Sequence, residues 1–259
     1  MIFGGIDAGS RAIKALLVED DGLEVIASGA ADQGVDQEAL ARDLFGKLLA
    51  DNGLRPEDVR GVVATGCGRN GIGFADTTIT EITCHACGVR RLVPEAMTVV
   101  EIGGQDSKLL RLDADGNVRD FAMNDRCAAG TGRFLEEVAE RFGVSLAALG
   151  EMAQNSRKPA VISSMCVVFA ETEIIGLLSA GAAPEDIVAG VQTSIATRVA
   201  AMAGRNLADP VIFTGGVALV SGMDGALAAV LKRPVRIAPR PQMTGALGAA
   251  VLAAQQPRE

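Results

Sequence analysis

The sequence predicts an α/β protein made of two duplicated lobes, and two observations carry that prediction. The first is an internal repeat. Gly103 lies 94 positions after Gly9, and Lys108 lies 94 positions after Lys14. The second is that glycine turns follow apolar, strand-like runs at three places along the chain. An internal repeat outranks local propensity in deciding a fold, so we expect the same strand unit twice.

Each copy of the repeat is predicted to be a meander of three strands. In the first copy the apolar runs at 2–7, 12–18 and 23–27 are joined by a tight turn and by Asp21-Gly22, a hairpin signal. Asp115-Gly116 repeats that signal at the same separation. Chance matching of two hairpins is the alternative, and it would have to explain residue types and spacing together.

Helical and strand-like patterns alternate along the rest of the chain. The first half predicts helices at 37–51 and 79–87 and strands at 59–65, 98–104 and 107–112. The second half predicts helices near Cys127 (stopping at Gly143), at 146–153, after Cys166, from Pro184 and from Thr244, and strands at 160–163, 211–213 and 235–238. We expect residues 1–94, completed by the helix at 244–259, to form an N-terminal lobe. Residues 95–243 would form a C-terminal lobe.

Composition excludes several classes of function. Apolar residues make up 49% of the 259 residues, which indicates a folded chain with a large core. The formal charge of −8 argues against a surface for nucleic acid or an anionic membrane. No stretch reaches the ~20 apolar residues that span a bilayer, and the first residues lack the pattern of a signal peptide. We therefore expect a cytoplasmic protein, in which thiols stay reduced.

Five cysteines, at 67, 84, 87, 127 and 166, show no disulfide-framework spacing. Cys127 and Cys166 each stand just ahead of a predicted helix, among small residues, and together would form half of a metal-cluster site. Cys84 and Cys87 form a CxxC motif, which is either half of a zinc or redox site or two side chains packed along a helix. No second pair completes the four ligands of a zinc site, so packing is favoured. Cys67 is either a ligand or a buried small side chain, and the second is favoured.

Three glycine turns at strand ends are suited to binding an anion, because backbone N–H groups can approach it closely there. The turns span residues 7–11, 103–106 and 214–217. We expect the two related by the repeat to hold a polyphosphate and the third to hold a nucleoside, in a cleft between the lobes. Asp7 and Asp106 are placed to hold Mg²⁺ through water, and Gln105 to orient an attacking water. The alternative is that all three are merely strand-end turns, where glycine is common.

These turns resemble the loops of the acetate and sugar kinase, heat-shock cognate and actin superfamily of ATPases, whose lobes are ribonuclease H-like. The matching motifs are Asp7-Ala8-Gly9-Ser10, Glu101-Ile102-Gly103-Gly104 and Thr214-Gly215-Gly216. Three longer motifs, at 101–108, 124–134 and 163–171, resemble the activators of 2-hydroxyacyl-CoA dehydratases. Those activators are related to the ATP-hydrolysing subunits of benzoyl-CoA reductases. One departure is Arg11 after Ser10, where the superfamily often has Thr.

The resemblance implies an ATPase that drives low-potential, one-electron transfer to a 2-hydroxyacyl-CoA dehydratase or a related acyl-CoA reductase. Each subunit of a homodimer would give Cys127 and Cys166 to one [4Fe–4S] cluster, which takes four cysteines. A ferredoxin or flavodoxin would supply the electron, and ATP or ADP would bind with Mg²⁺. The expected nucleotide-binding residues are Asp7, Gly9, Ser10, Arg11, Lys14, Gly103, Gly104, Gln105, Asp106, Gly130, Thr131, Gly132, Thr214, Gly215 and Gly216, with Gln105, Asp7 and Asp106 catalytic.

Two other functions fit the same fold. A small-molecule kinase of the sugar-kinase type would use Asn124-Asp125 as its phosphotransfer pair, with Asp125 accepting a proton from a substrate hydroxyl. A turn and helix cap is the preferred interpretation of that pair, because the Cys127 motif continues directly from it. A non-redox ATPase of the chaperone or filament kind would leave the cysteines as inert packing.

Overall fold

A computed structural model of the chain describes residues 1–21, 23–163, 166–204 and 207–256. The strands of the described residues are β1 (Ile2–Ala8), β2 (Ala12–Glu19), β3 (Val25–Asp32), β4 (Val59–Thr65), β5 (Thr77–Thr78), β6 (Thr98–Ile102), β7 (Ser107–Leu112), β8 (Val118–Asn124), β9 (Val211–Thr214) and β10 (Val235–Ile237). The α-helices are α1 (Gln37–Asp51), α2 (Glu81–Leu92), α3 (Gly132–Phe142), α4 (Leu146–Gln154), α5 (Val167–Ser179), α6 (Pro184–Ala203), α7 (Met223–Leu231) and α8 (Thr244–Gln255). No helix among these combines the length and apolarity needed to cross a bilayer.

The chain divides into two compact units. Unit 1 comprises residues 1–96 and 112–119 together with the C-terminal segment from Gln242, and unit 2 comprises residues 97–111 and 120–241. Unit 1 therefore includes α8, which belongs to the C-terminal end of the sequence.

Each unit contains a five-stranded sheet of the same topology. The strand order is β3-β2-β1-β4-β5 in the first sheet and β8-β7-β6-β9-β10 in the second. In both, an antiparallel pair (β1 with β2, β6 with β7) adjoins a parallel partner (β4, β9). The prediction of an α/β chain with a duplicated strand unit is confirmed, and the similarity extends beyond the meander to the two strands that follow it.

The duplication is also present in individual hydrogen bonds. Asp7 faces Lys14 across the first antiparallel pair, and Glu101 faces Lys108 across the second. The N–H of Gly9 donates to the carbonyl of residue 12 at 3.2 Å, and the N–H of Gly103 donates to that of residue 106 at 3.0 Å. Each residue named in unit 2 lies 94 positions after its counterpart in unit 1, which is the separation found in the sequence.

The predicted strand at 160–163 is wrong. The N–H of Ala160 donates to the carbonyl of Asp186 at 2.7 Å, and the N–H of Ser163 donates to the carboxylate of Glu173 at 2.9 Å. The backbone of this segment is thus bonded to α5 and to the start of α6, and these four residues are not assigned to a strand. Of its apolar residues, Ala160 and Ile162 pack partly buried against the hydrophobic core, while Val161 is 82% exposed.

Three further details differ from the sequence prediction. Cys127 is followed by a short 3-10 helix at Ala128–Gly130, so α3 begins only at Gly132. The helical pattern after Cys166 predicts Ile175 on the apolar side of that helix, but in α5 this side chain is 44% exposed. The helix α7 and the two-residue strand β5 were not predicted, because neither carries a clear period in the sequence.

Several predicted features fall outside the described residues. These are Gly22 of the Asp21-Gly22 turn, Ser164 and Met165 of the motif before α5, and the last three positions of the predicted C-terminal helix. Elsewhere the predicted bounds of α1, β4 and β7 are confirmed without change.

The small residues of α8 let it pack closely on α2 within unit 1. A Cβ atom added at Gly248 would lie 1.8 Å from the carbonyl oxygen of Cys84, and one at Gly88 would lie 1.9 Å from that of Thr244. Both are contacts with backbone, which cannot move aside as a flexible side chain can. This close approach explains why the closing helix is rich in glycine and alanine.

We expect Gly248→Ala to lower the free energy of unfolding by about 1–3 kcal/mol, the usual cost of overpacking a core. The matched control is Gly46→Ala in α1, where an added Cβ meets no atom within 4 Å. There we expect a gain of about 0.5–1 kcal/mol, because alanine is the better helix former. Urea unfolding of the three proteins measures both, and equal stability of the two variants would contradict the packing argument.

Candidate functional site

The first glycine turn of unit 1 is held by a partly buried ion pair. Asp7 is buried near the end of β1, and Lys14 Nζ lies 3.1 Å from its Oδ2 atom. A Cβ atom at Gly9 would lie 2.9 Å from the same ammonium group, so a side chain there would displace it. The amide of Gln33 donates to the Gly9 carbonyl at 2.7 Å. Sequence reasoning missed Gln33, because only the pairing of β2 with β3 brings it to this turn.

A second turn of unit 1 follows β4 and contacts the first. Gly66 has a φ of +89°, and a Cβ atom there would lie 2.5 Å from the Ala8 carbonyl oxygen and 2.6 Å from Asp7 Oδ1. The N–H of Gly68 donates to the Ala8 carbonyl at 2.9 Å, and the Cys67 thiol donates to it at 3.7 Å. Cys67 is exposed rather than buried, so the expectation of a buried small side chain is wrong.

The corresponding turns of unit 2 follow β6 and β9. Gly215 has a φ of +91°, and a Cβ atom there would lie 2.3 Å from the Ile102 carbonyl oxygen and 2.7 Å from Glu101 Oε1. These are the contacts that Gly66 would make in unit 1, at the positions equivalent to Ala8 and Asp7. Thr65-Gly66 is therefore the structural counterpart of Thr214-Gly215. This relation is not visible in the sequence. The segment that carries α3 to α6 lies between β8 and β9, the strands of unit 2 that match β3 and β4.

Three charged side chains meet beneath the glycine turns of unit 2. Lys108 Nζ lies 2.9 Å from Glu101 Oε2 and 2.7 Å from Asp106 Oδ2. The lysine side chain is 1% exposed, while that of Asp106 is 23% exposed. Gln105 is exposed at the tip of the same turn. The predicted residues Gly103, Gln105 and Asp106 are therefore together. Lys108 joins them; the repeat matched it to Lys14, but it was not among the predicted site residues.

The start of α3 is bonded directly to the same turn. The N–H of Gly132 donates to the Gly103 carbonyl at 2.9 Å, and that of Arg133 donates to the Gly104 carbonyl at 2.8 Å. Thr131 caps the helix and also donates its hydroxyl to Ala128 at 2.8 Å. The segment 130–132 thus lies against the glycine turn, five residues or fewer from Cys127. The structure connects the candidate anion site of unit 2 to a candidate cluster ligand through backbone hydrogen bonds.

Cys127 is held by the side chain of Asn124. The Asn124 amide accepts from the Cys127 N–H at 3.1 Å and donates to the Cys127 carbonyl at 2.9 Å. This geometry supports the turn interpretation of Asn124-Asp125 over a phosphotransfer pair, because the amide is bonded to the chain itself. The thiol-bearing residue is half-buried.

Cys166 is exposed and directly precedes α5. Val168 and Phe169 in the first turn of this helix are 67% and 70% exposed, which is unusual for large apolar side chains. Among the described residues, no group of three or more His, Cys, Asp or Glu side chains is arranged to hold a metal ion. Cys127 and Cys166 would supply half of a four-cysteine cluster, and the other two ligands would have to come from another chain.

The CxxC motif differs in its surroundings from Cys127 and Cys166. Burial raises the pKa of the Cys84 thiol to about 12 and that of Cys87 to about 11. A thiol that stays protonated is a poor metal ligand and a poor nucleophile. His85 is buried between them, with Nδ1 3.0 Å from the Thr244 hydroxyl. The geometry supports the interpretation that these residues pack α2 against α8.

The two units share one sheet topology with glycine turns at matching strand ends, and this is the architecture of an actin-like ATPase. The chain belongs to the BadF/BadG/BcrA/BcrD ATPase family, whose sequence profile matches residues 5–253. It is 45% identical over 250 residues to the activator of lactoyl-CoA dehydratase from Anaerotignum propionicum, with 96% of each chain covered.

Two solved structures are similar over nearly the whole chain. One is the activator of 2-hydroxyisocaproyl-CoA dehydratase from Clostridium difficile with bound ADPNP, at 42% identity and a TM-score of 0.92, covering 98% of this chain and 95% of that one. The other is component A of (R)-2-hydroxyglutaryl-CoA dehydratase from Acidaminococcus fermentans, at 39% identity and a TM-score of 0.92, covering 98% of both chains. The predicted family and fold are confirmed.

Proposed function

We propose that this protein is an ATP-dependent activator that delivers low-potential electrons to a 2-hydroxyacyl-CoA dehydratase or a related acyl-CoA reductase. The observation that carries the proposal is the bonding of α3 to the Gly103-Gly104 turn, which ties the segment of Cys127 to a candidate phosphate site. An ATPase coupled to electron transfer requires a connection between the residues that bind the nucleotide and those that bind the cluster. The similarity to named dehydratase activators supports the same conclusion.

The glycine turns are proposed to bind ATP and ADP. Ser10 in unit 1 and Gly104 in unit 2 would offer N–H groups to phosphates. The N–H groups of Gly9 and Gly103 close the two turns, and the lack of a side chain at these glycines would let phosphates approach the backbone. Thr214, Gly215 and Gly216 would contact the nucleoside, and Arg11, Lys14, Gly130, Thr131 and Gly132 complete the proposed set. The ADPNP found with the similar Clostridium difficile activator supports nucleotide binding at such turns.

Catalysis is assigned to three side chains. Asp7 and Asp106 would hold Mg²⁺ through water, since oxygen ligands and retained waters suit this ion. The exposed Gln105 would orient the water that attacks the terminal phosphate. The protein contributes positioning and charge to this reaction rather than a covalent intermediate.

Cys127 and Cys166 are proposed to ligate one [4Fe–4S] cluster together with the same residues of a second copy. When bound, the cluster would supply the one-electron redox chemistry. The exposed Val168 and Phe169 beside Cys166 support an interface at this place. A ferredoxin or flavodoxin is the proposed donor, and the dehydratase or reductase component is the proposed acceptor.

The cluster assignment is tested by iron and sulfide analysis of anaerobically purified protein. We expect four irons per two chains in the wild type and loss of most of that iron in Cys127→Ala and in Cys166→Ala. The matched control is Cys87→Ala, which should keep the wild-type iron content because this thiol is packed in unit 1. Stoichiometric iron in folded Cys127→Ala protein would refute the assignment and favour an ATPase with inert cysteines.

A further inference from the structure

Lys108 is among the largest fully buried side chains of the described residues, and it is charged. A buried ammonium group needs partners that offset its loss of hydration. Lys108 has two carboxylates within 3 Å, Glu101 Oε2 at 2.9 Å and Asp106 Oδ2 at 2.7 Å. Two carboxylates and one ammonium leave one net negative charge beneath the turn.

Glu101 and Asp106 both extend to the glycine turns themselves. Asp106 Oδ1 lies 2.7 Å from the place where a Cβ of Gly103 would be, so this carboxylate folds over the turn. Glu101 Oε1 lies 2.7 Å from the corresponding place at Gly215 and 3.3 Å from that at Gly103. Lys108 therefore holds two carboxylates in place. Glu101 lies against both glycine turns of unit 2, and Asp106 lies against the turn of Gly103.

Unit 1 provides an internal comparison. Its equivalent pair is Asp7 with Lys14, and the position that matches Asp106 is Ala12, which carries no carboxylate. The Asp106 carboxylate is thus specific to unit 2, and Lys108 holds it beside the Glu101 carboxylate.

We propose that Lys108 is a positioning residue of the nucleotide site, whose ammonium group occupies the place that a divalent cation would otherwise take between Glu101 and Asp106. Mg²⁺ in nucleotide enzymes is bound by one or two carboxylates together with phosphates and water. With Lys108 in place, the carboxylates bind Mg²⁺ only when phosphates add their charge, so metal enters with the nucleotide. The proposal rests on the proposed role of Asp106 in holding Mg²⁺.

The test measures Mn²⁺ binding to nucleotide-free protein. The electron paramagnetic resonance signal of the unbound Mn²⁺ reports how much of the ion is bound. We expect weak binding by the wild type and binding tighter by about ten-fold or more in Lys108→Met, because a unit positive charge ~4 Å from the metal is removed. Lys108→Met/Asp106→Asn should return to weak binding. Lys108→Gln replaces the methionine variant if the latter does not fold.

The matched control is Lys14→Met, which removes the equivalent lysine in the unit where Ala12 replaces the second carboxylate. It should gain much less Mn²⁺ affinity than Lys108→Met. Equal Mn²⁺ affinity in wild-type and folded Lys108→Met protein would overturn the role of Lys108. The role of Asp106 is checked separately, since Asp106→Asn should abolish the dependence of ADP binding on Mg²⁺. Retained dependence in that variant would overturn the proposed Mg²⁺ site instead.

Discussion

Asp7→Asn is expected to reduce ATP hydrolysis by about a hundred-fold or more, the range observed when a preorganised charge at a reacting phosphate is lost. The Asp7 carboxylate lies at the first glycine turn, and asparagine keeps its shape while removing the charge proposed to hold Mg²⁺ through water. Cluster iron should stay at the wild-type level, because Cys127 and Cys166 belong to unit 2. Steady-state phosphate release and iron analysis on the same preparation measure both.

The substitution also leaves Lys14 beside a neutral side chain, which could lower stability by itself. A buried charge without its partner is costly, although the Lys14 side chain retains 18% exposure. Asp7→Asn/Lys14→Met removes the remaining charge and should recover stability without recovering hydrolysis. Asp32→Asn is the matched surface control, since the side chain of Asp32 is 85% exposed. Hydrolysis within a few-fold of wild type in Asp7→Asn would contradict the catalytic role.

Gly132→Val is expected to separate ATP hydrolysis from electron delivery. A Cβ atom at Gly132 would lie 3.0 Å from the Gly103 carbonyl oxygen and 3.1 Å from a Val217 methyl group. The branched side chain would push α3 away from the turn and lengthen the bond from the Gly132 N–H. Hydrolysis should fall by only a few-fold, while ATP-driven reduction of the partner should fall by about a hundred-fold, because the connection to Cys127 is lost.

The measurement is the ratio of electrons delivered to ATP hydrolysed, with amide hydrogen exchange of residues 124–134 as a readout independent of the partner. Wild-type protein should change its exchange in this segment when ATP is added, and Gly132→Val should not. Gly46→Val is the control for placing valine in a helix, because an added Cβ there meets no atom within 4 Å. An unchanged ratio in Gly132→Val would show that coupling does not pass through this bond.

Much of the fold was predictable because it is repeated. The separation of 94 residues between the two meanders identified β1 with β6 and β2 with β7, and the structure has these pairs in the same register. The relation between Thr65-Gly66 and Thr214-Gly215 was not found, since the intervening helices change the spacing. The strand predicted at 160–163 failed because the backbone of this segment is bonded to α5 and α6, and a short apolar run does not distinguish such a segment from a strand.

The candidate site was predictable residue by residue but not in its connections. Gly103, Gln105 and Asp106 carry a local signal, as do the motifs of Cys127 and Cys166. Gln33 and the bonds from α3 to the Gly103-Gly104 turn carry none, and the repeat marks Lys108 without showing that it pairs with two carboxylates. Each depends on which strand or helix lies beside another, and a backbone hydrogen bond does not require a particular residue type.

By itself the sequence determined the α/β class, the duplication, the family and the two cysteines set apart by their motifs. Those conclusions follow from residue types at fixed spacing, which the chain records directly. Only the tertiary structure decided that the Cys84 thiol is buried and the Cys87 thiol partly buried, that Lys108 joins two carboxylates, and that α3 is bonded to the glycine turn. Burial and pairing are set by distant segments brought together in folding, so no local pattern specifies them.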